Sequence, residues 1–376
     1  MRIAYVCADP GISPLGDKGA SVHLRSLAGA LARRGHTVTL LCTRLDGANT
    51  LPTDVMLAQL PNGAPTQLLR DWRIEVVLER YSLSGDEVRE SCRTLGMAHV
   101  LEVNAPLVDE AARYRGLRDV ASWRARERSI VSAADAVVAV SPSVRAHVIR
   151  CGAAPDRAMV VHNGVDLDPF ESAKGDSVRQ RYALGNARVV GFAGSLKAWH
   201  GVDLLLRAAA RLDADVRVLI VGDGPERSKL EALAIELRIA DRVVFTGAIA
   251  HHAIPEHLAA MTVAAAPYVL QTDFYFSPLK LVEYLAAGLP VVASEQGDLA
   301  RLVGKAGLMV RPDDPAELAE ALGKVLSNPE LRRAMHFAAR RHAAGMTWDA
   351  AAAQVETVLM SATARTRSVV VKRMAA

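Results

Sequence analysis

The sequence predicts an α/β protein of two doubly wound domains, each built on a largely parallel β-sheet. The chain has 376 residues, which is enough for two domains at about 100 to 200 residues each. Short apolar runs alternate with amphipathic stretches, as is typical of parallel strands joined by crossover helices. An opening pattern of strand, glycine loop and helix occurs twice, near residue 1 and again near residue 189.

Composition excludes several classes of protein. Hydrophobic residues make up 51% of the chain and charged residues 23%, which is typical of a globular protein and not of a disordered or collagen-like chain. The longest nearly apolar run, residues 258–270, is shorter than the ~18 residues a membrane span needs. The uncharged run at the start is too short for a signal-peptide core, so we expect a cytoplasmic protein. A net charge of +4, without a zinc-finger or RNA-binding signature, predicts no nucleic-acid partner.

The first domain, predicted over residues 1–170, opens with a βαβ unit. Arg2–Cys7 and Thr37–Cys42 are short β-rich runs, and Ala20–Arg34 between them places apolar residues at helical spacing. Gly35 ends this helix. Later strands of the same sheet are predicted at Arg73–Glu79, His99–Val103 and Ala136–Ser141.

The second domain, predicted over residues 171–346, follows a polar linker with a short helix. Val189–Ala193 predicts its first strand and Asp203–Leu212 its first long helix. Further strands are predicted at Val216–Val221, Val243–Thr246, Val263–Ala266 and Pro290–Ala293. Ligands of such sheets bind beyond the carboxyl ends of the strands, so two facing sheets would place one site in the cleft between the domains.

Residues 347–376 form a separate C-terminal segment. Thr347–Leu359 predicts a helix, and Trp348 near its start predicts an anchor that packs back towards the N-terminal domain. The basic stretch Arg365–Arg373 is expected to be frayed or exposed.

The segment most informative about chemistry is a predicted helix start with a lysine in its first turn. Ser277 is a favourable N-cap residue and Pro278 suits the first helical position. The free N–H groups of Leu279 and Lys280, the helix dipole and the lysine side chain together suit a diphosphate. Glu283, one turn on, could accept hydrogen bonds from a ribose diol. The alternative is a capped helix with Lys280 and Glu283 as a surface pair.

A second loop of the same domain also has an anion-binding layout. Residues 194–201 follow a predicted strand and contain Lys197 and His200. A single lysine in such a loop is usually just solvated, but two basic loops in one domain favour phosphate binding.

The glycine loop of the first domain does not fit dinucleotide binding. Residues 16–21 lack the G-x-G-x-x-G pattern, and Cys42 is followed by Thr43 and Arg44 instead of an acidic residue. A nicotinamide-dependent oxidoreductase is therefore disfavoured. The small residues of this loop would let a ligand approach the backbone. His23, in the first turn of the helix, is either a ligand contact or a plain surface or packing residue.

The cysteines predict no special chemistry. No C-x-x-C spacing occurs, so we expect reduced, buried thiols without a metal or disulfide role. The four are far apart in the sequence, at Cys7, Cys42, Cys92 and Cys151.

Taken in order and spacing, the loops resemble those of glycosyltransferase family 4. Members of this family are retaining sugar-nucleotide transferases with two facing Rossmann-like domains, the GT-B fold. The resemblance covers about residues 1 to 360. Its landmarks are Gly16–His23, Arg34–Val38, Val140–Ser141, Val161–Asp166, Val221–Pro225 and Phe245–Gly247.

The resemblance implies a nucleoside diphosphate sugar as donor, bound by the second domain. It places the base near Gly247 and Ala248, the ribose on Glu283, and the diphosphate on the amides of Leu279 and Lys280. The remaining donor-side positions are Gly19, Ala20, Ser195, His200, Gly222, Tyr275 and Ser277. The positions implied on the acceptor side are His23, Glu102 and Asn104, with Glu110 more distant.

The sequence departs from the family pattern at three places. The family's donor motif has two glutamates separated by seven residues, and here Tyr275 takes the first position before Glu283. The usual Arg and Lys of the phosphate loop fall at Ser195 and His200, and Lys197 could supply the lost charge. A catalytic His after a first-domain strand has no clear match. These departures leave the donor sugar open.

The predicted reaction is transfer of a glycosyl group to an acceptor hydroxyl with retention at the anomeric carbon. Lys197 and Lys280 are predicted to stabilise charge on the departing diphosphate, with His200 as a further donor, and no metal or other cofactor is required. A double displacement through Glu102 is an alternative to a front-face route.

Two further functions are compatible with the same fold. One is that of a non-catalytic homologue that binds a sugar nucleotide or a partner protein, which the tyrosine at position 275 would favour. The second is that of a pyridoxal-phosphate-dependent phosphorylase. Six arginines within residues 112–128 indicate a solvated helix or peripheral contact with an anionic membrane.

Overall fold

The computed structural model describes residues 1–84, 86–275 and 277–374. The chain divides into two compact units. The first comprises Met1–Gly164, Tyr275–Ser277 and Trp348–Ala376, and the second comprises Val165–Phe274 and Pro278–Thr347.

The first unit is built on a seven-stranded parallel sheet. Its strands are Arg2–Cys7 (β1), Thr37–Cys42 (β2), Val55–Gln59 (β3), Val76–Arg80 (β4), Ala98–Val103 (β5), Ala136–Ala139 (β6) and Ala158–Val160 (β7). They lie in the order β3-β2-β1-β4-β5-β6-β7. The first strand is central, with Ile3 in register between Val38 and Val76, and is buried from Ile3 to Cys7.

Helices connect these strands as the alternating pattern requires. They are Gly19–Arg33 (α1), Thr66–Asp71 (α2), Asp86–Leu95 (α3), Leu107–Tyr114 (α4), Val120–Ala133 (α5) and Pro142–Arg150 (α6). The start of α6 illustrates how the sequence begins a helix. The Ser141 side chain accepts a hydrogen bond from the Val144 N–H, and Pro142 occupies the first turn.

The second unit is built on a six-stranded parallel sheet. Its strands are Val189–Ala193 (β8), Arg217–Val221 (β9), Val243–Phe245 (β10), Val263–Ala266 (β11), Val291–Ser294 (β12) and Gly307–Val310 (β13), in the order β10-β9-β8-β11-β12-β13. Its helices are Asp168–Ser172 (α7), Asp176–Arg181 (α8), Val202–Ala209 (α9), Arg227–Glu236 (α10), Ile254–Ala259 (α11), Leu279–Ala286 (α12), Leu299–Val303 (α13), Pro315–Ser327 (α14) and Pro329–Ala343 (α15). Phe192, Ile220, Leu205 and Leu322 lie in one apolar core that joins sheet and helices.

The predicted fold class is confirmed, since each unit carries a parallel, helix-connected sheet. Three strands were missed in the sequence, and all three lie at sheet edges: β3, β7 and β13. Edge strands are short and half-exposed, so they lack the continuous apolar run that identifies a central strand. In Val55–Gln59, for example, only the first residue is buried.

The C-terminal segment is one long helix, Trp348–Met374 (α16). The helix continues through the basic stretch, so this stretch is not frayed, whereas Arg365 and Arg367 are exposed as predicted. Arg365 donates to the Asp135 carbonyl at 3.3 Å, and Arg367 pairs with Glu75 at 3.2 Å. Trp348 is 3% exposed and meets the His23 ring edge-on, with centroids 5.2 Å apart. Among the described helices none combines the length and hydropathy of a bilayer crossing.

Candidate active site

Three glycine loops meet at the carboxyl ends of neighbouring strands in the second unit. Gly194 follows β8, Gly222 follows β9 and Gly247 lies two residues beyond the end of β10. The Gly222 N–H donates to the Gly247 carbonyl at 3.1 Å, and the Gly194 N–H donates to the Val221 carbonyl at 2.9 Å. Gly222 has φ 134°, and a Cβ there would lie 2.1 Å from the Gly194 carbonyl oxygen. The loops therefore pack backbone against backbone at the edge where sheets of this kind bind ligands.

Lys280 lies buried against this glycine edge. Its Nζ is 4.1 Å from the centroid of the Phe192 ring and 5.3 Å from that of Tyr268. A Cβ on Gly194 would stand 2.9 Å from the same Nζ. Within the described residues the ammonium has no hydrogen-bond partner. The hypothesis of a surface ion pair with Glu283 is therefore wrong.

The environment of Lys280 also changes its protonation. Burial lowers the pKa of this lysine from 10.5 to about 7, although the nearby Glu283 acts in the opposite direction. A buried cation without a partner is costly to the fold. The cation–π contacts with Phe192 and Tyr268 offset part of that cost. An anion bound beside Gly194 would supply the missing partner.

The helix carrying Lys280 starts one residue later than the sequence predicts. Pro278 is the N-cap, with ψ 118°, and no side chain caps the helix, so the assignment of Ser277 as N-cap was wrong. The extended ψ of Pro278 delays the first helical residue to Leu279. The first backbone bond comes from the Leu281 N–H to the Pro278 carbonyl, at 3.1 Å. The N–H groups of Leu279 and Lys280 precede it, as an anion site requires.

Glu283 connects this helix to the loop after β10. Its Oε1 lies 2.8 Å from Nε2 of His251, three residues beyond Ala248. The Glu283 side chain is 13% exposed. The structure thus brings the segment predicted for the base, Gly247 and Ala248, near the carboxylate predicted for the ribose. His251 had no sequence signal beyond its place in a polar loop.

The loop containing Lys197 adjoins the same edge. Lys197 is exposed, with Nζ 4.7 Å from the Trp199 ring centroid, and it lines a cavity of about 520 Å³ with residues of α9 and α10. The positive charges of Lys280 and Lys197 both lower the pKa of His200. The 194–201 loop and the start of α12 are therefore neighbours.

His200 is not a second cation at neutral pH. Burial, then Lys280 and Lys197, lower its pKa to about 3, against a hydrogen bond to the Ser195 backbone that acts the other way. Its Nδ1 lies 2.5 Å from the Ser195 carbonyl oxygen, which can only accept. Nδ1 therefore carries the proton and Nε2 carries a lone pair. His200 shapes the loop through its bond to the Ser195 carbonyl.

The first unit has its own buried polar cluster around His23. His23 Nε2 lies 2.5 Å from Glu102 Oε1, and its Nδ1 lies 2.7 Å from Asn163 Oδ1. Asn163 Nδ2 donates to the Ser277 carbonyl at 2.6 Å, which fixes Oδ1 towards the imidazole. Both ring nitrogens therefore face acceptor oxygens. The interpretation of His23 as a surface residue is wrong, because the residue is 6% exposed.

Glu102 is held as a structural carboxylate. It is 1% exposed, its Oε2 accepts from the Tyr5 hydroxyl at 2.6 Å, and Arg80 lies 3.8 Å away. Burial alone would raise the pKa of Glu102, but His23, Arg80 and Tyr5 outweigh it and the pKa is lowered. With both oxygens engaged, Glu102 is poorly placed to attack a sugar.

Asn104 and Tyr275 lie in the same unit as this cluster. Asn104 follows β5, and its Oδ1 is buried without a hydrogen-bond partner in the described part of the chain. The Tyr275 hydroxyl donates to Glu110 Oε2 at 2.8 Å, and the Ser141 hydroxyl donates to the Tyr275 carbonyl at 2.9 Å. Burial, then Glu110, raise the pKa of Tyr275, so it stays a neutral phenol.

The start of α1 completes the predicted positions of the first unit. The helix begins at Gly19 with Lys18 as N-cap, one residue earlier than predicted. Its first backbone bond runs from the Ser21 N–H to the Lys18 carbonyl at 2.8 Å, so the amides of Gly19 and Ala20 precede the bonded turn. Asn163 lies within a family landmark, yet its role as a partner of His23 was not predicted.

Two family descriptions and several curated relatives match the chain. Residues 18–169 match Glycosyltransferase Family 4, and residues 187–328 match Glycosyl transferases group 1. The chain is 32% identical to the D-inositol 3-phosphate glycosyltransferase of Acidothermus cellulolyticus, over 80% of this chain and 70% of that protein. It is 34% identical to D-inositol 3-phosphate glycosyltransferase 1 of Catenulispora acidiphila, over 63% of this chain and 60% of that protein.

Solved structures share the fold across nearly the whole chain. Sucrose-phosphate synthase from Thermosynechococcus elongatus superposes with a TM-score of 0.77 at 22% identity, over 97% of this chain and 99% of that one. Anabaena Alr3699/HepE, solved in complex with UDP and glucose, gives 0.76 at 20% identity over 96% and 100%. With two parallel sheets, a glycine edge and these matches, the chain belongs to glycosyltransferase family 4 and is a glycosyltransferase of the GT-B fold.

Proposed function

We propose that this chain transfers a sugar from a nucleoside diphosphate sugar to an acceptor hydroxyl, and that the second unit holds the diphosphate at the start of α12. One observation carries the proposal. Lys280 is a buried ammonium without a hydrogen-bond partner among the described residues, and it lies against Gly194 where three glycine loops meet. A diphosphate there would receive the lysine charge, the amides of Leu279 and Lys280, and the helix dipole.

The predicted reaction separates charge, and groups of the site would stabilise the charge that develops. As the bond to the anomeric carbon breaks, negative charge collects on the leaving diphosphate and positive charge on the sugar ring. Lys280 and the amides at the start of α12 would stabilise the negative charge on the diphosphate. Preorganised donors contribute most at such a developing charge. Lys197 contributes a second positive charge to the loop. Since Glu102 is fully hydrogen-bonded, we propose a front-face route with retention, in which the leaving phosphate takes the acceptor's proton.

The first unit would bind the acceptor. Asn104 offers an amide oxygen that no described residue engages, while His23 and Glu102 hold the surrounding backbone and side chains in place. Tyr275 presents a phenol bound to Glu110 at the position where the family has a glutamate. We propose that the Tyr275 hydroxyl, held by Glu110, takes the place of the missing carboxylate.

Calorimetric titration and thermal shift against nucleotides test the donor proposal. UDP and UDP-glucose come first because the HepE structures contain them, followed by the other nucleoside diphosphates. D-inositol 3-phosphate is the first acceptor to test, since the curated relatives are named for it. A true donor binds only the folded state and raises the unfolding temperature. If no nucleoside diphosphate raises it and none is hydrolysed or transferred, the proposal fails.

Glu283→Gln should weaken nucleoside diphosphate binding about 10- to 100-fold, the cost expected for hydrogen bonds to a charged group. Inorganic pyrophosphate should bind the variant as well as it binds the wild type, because it has no ribose. Isothermal titration with both ligands separates the two contributions. Glu320→Gln, an exposed change on α14, is the matched control. Equal losses for UDP and pyrophosphate would contradict the ribose role.

The arginine-rich segment favours a solvated surface over a membrane contact. Three of its arginines are already paired with carboxylates, as Arg115–Glu110, Arg124–Asp109 and Arg126–Asp86. This pairing reduces the attraction to anionic lipid. We expect co-sedimentation with phosphatidylglycerol vesicles at low salt to stay at the level seen with neutral vesicles. Binding that falls as salt rises would instead support a peripheral site.

A further inference from the structure

A buried cluster in the first unit brings together three different metal-binding side chains. Glu127 lies on α5, His147 in the last turn of α6, and Cys151 at the C-cap of α6. His147 Nε2 is 3.3 Å from Glu127 Oε1 and 3.6 Å from Cys151 Sγ. Cys151 Sγ is 3.8 Å from Glu127 Oε2. All three residues are at least nine-tenths buried.

One ligand atom of each residue lies within 4.8 Å of the other two, and the carboxylate can reach one ion through either oxygen. Zinc bonds of about 2.0–2.3 Å at tetrahedral angles put neighbouring ligand atoms about 3.3–3.8 Å apart. Carboxylate, imidazole and thiolate are all zinc ligands, and a soft thiolate disfavours Mg²⁺ or Ca²⁺. The carboxylate and thiolate together would neutralise a divalent charge. Three protein ligands would leave a fourth position for water.

A Cys-His-Glu nucleophilic relay fits the cluster less well than a metal site does. In a relay the acid binds one imidazole nitrogen and the thiol binds the other. Here the carboxylate and the sulfur both face Nε2 of His147. The carboxylate and the sulfur therefore lie on the same side of the imidazole, around its Nε2. Burial also denies a substrate access to the Cys151 sulfur.

A second observation points to a missing partner at the same place. Glu127 Oε1 is buried and has no hydrogen-bond partner among the described residues, although it lies 3.3 Å from His147 Nε2. Tyr81 hydrogen-bonds the Glu127 side chain, as an outer partner that orients a ligand would. The surrounding cluster is apolar and includes Ile130 and Val148.

We propose that Glu127, His147 and Cys151 form a zinc site that joins α5 to α6. The site is separate from the proposed diphosphate site, which lies in the second unit. The cysteine spacing predicted no metal, because Glu127 and Cys151 are 24 residues apart and only the packing of two helices makes them neighbours.

Metal replacement in the full-length chain tests the site. After dialysis against a chelator, the protein should take up one equivalent of Zn²⁺ and unfold at a higher temperature. With Co²⁺ it should show the visible bands of a tetrahedral ion and a thiolate-to-cobalt band in the near ultraviolet. Cys151→Ser should remove the thiolate band and weaken Zn²⁺ binding on the order of 100-fold or more. Cys92→Ser, at a buried thiol elsewhere in the unit, should leave both unchanged.

Further measurements test the zinc site independently of the Cys151→Ser variant. If Cys151→Ser does not fold, His147→Gln and the wild-type titration still test the site, since the wild type must bind zinc in any case. Failure of the chelated wild type to bind one equivalent of Zn²⁺ would overturn the proposal, as would a cobalt spectrum that Cys151→Ser does not change. UDP binding, measured on the same samples, should be the same with and without zinc.

Discussion

Lys280→Met is expected to lower kcat/KM for glycosyl transfer about 10²–10³-fold, the usual cost of removing one preorganised donor at a developing negative charge. Lys280 is the buried cation at the glycine edge, and its Nζ has no hydrogen-bond partner in the described residues. Methionine keeps most of the side-chain volume against Phe192 and Tyr268. Steady-state transfer or donor hydrolysis measures the loss. Lys324→Met, at an exposed position of α14, should retain full activity.

The same variant should be more stable than the wild type without ligand. The folded pKa of about 7 lies below the ordinary 10.5, so the unfolded state binds more protons between these values. Wild-type stability should therefore rise with pH across that window, while Lys280→Met should lack this rise. The gain in unfolding temperature should be full at and below about pH 7 and should vanish near pH 10.5.

Thermal unfolding from pH 7 to 10 measures this difference. A higher unfolding temperature together with lost activity would identify Lys280 as a residue kept for binding at the expense of stability. A variant that is both less stable and less active would indicate packing damage instead. A variant that keeps wild-type kcat/KM would remove Lys280 from the mechanism.

His23→Leu is expected to lower the free energy of unfolding by about 3–5 kcal/mol, the cost of leaving a buried carboxylate without its partner. Leucine fills the space but leaves Glu102 Oε1 and Asn163 Oδ1 without their donor. Urea denaturation monitored by circular dichroism gives the difference. His252→Leu, at an exposed position, should change it little. A loss below about 1 kcal/mol would show that the cluster contributes little to stability.

The defect of His23→Leu should depend on pH. In the wild type the pKa of Glu102 is lowered, which stabilises the fold at pH values above the ordinary carboxyl pKa. This stabilisation is lost as the pH falls through the folded pKa. In the variant, burial without the imidazole should raise that pKa. The difference in free energy of unfolding between the wild type and His23→Leu should therefore become smaller as the pH falls. His23→Leu with Glu102→Leu should recover part of the loss, because no carboxylate is then buried.

Local patterns predicted the central strands well and the edges poorly. β1 and β8 match their predicted bounds because an uninterrupted apolar run identifies a strand buried on both faces. The start of α12 was misplaced by one residue, since Ser-Pro fits two cap arrangements and only ψ of Pro278 decides between them.

The chemistry of the sites depended on distant contacts. Helical spacing placed Lys280 and Glu283 near each other but could not show that Phe192 and Tyr268 cover the lysine. His23 and Glu102 are 79 residues apart, and no local pattern pairs them. The resemblance supplied the positions, and the packing supplied their contacts.

A crystal structure of the chain with UDP would test the central claim most directly. That claim is that the start of α12 and the loop from Gly194 form one diphosphate site. The account predicts phosphate oxygens at about 2.7–3.2 Å from Lys280 Nζ and from the amide of Leu279 or Lys280. A nucleotide bound elsewhere, with Lys280 still packed on Phe192 and no phosphate beside it, would contradict the account.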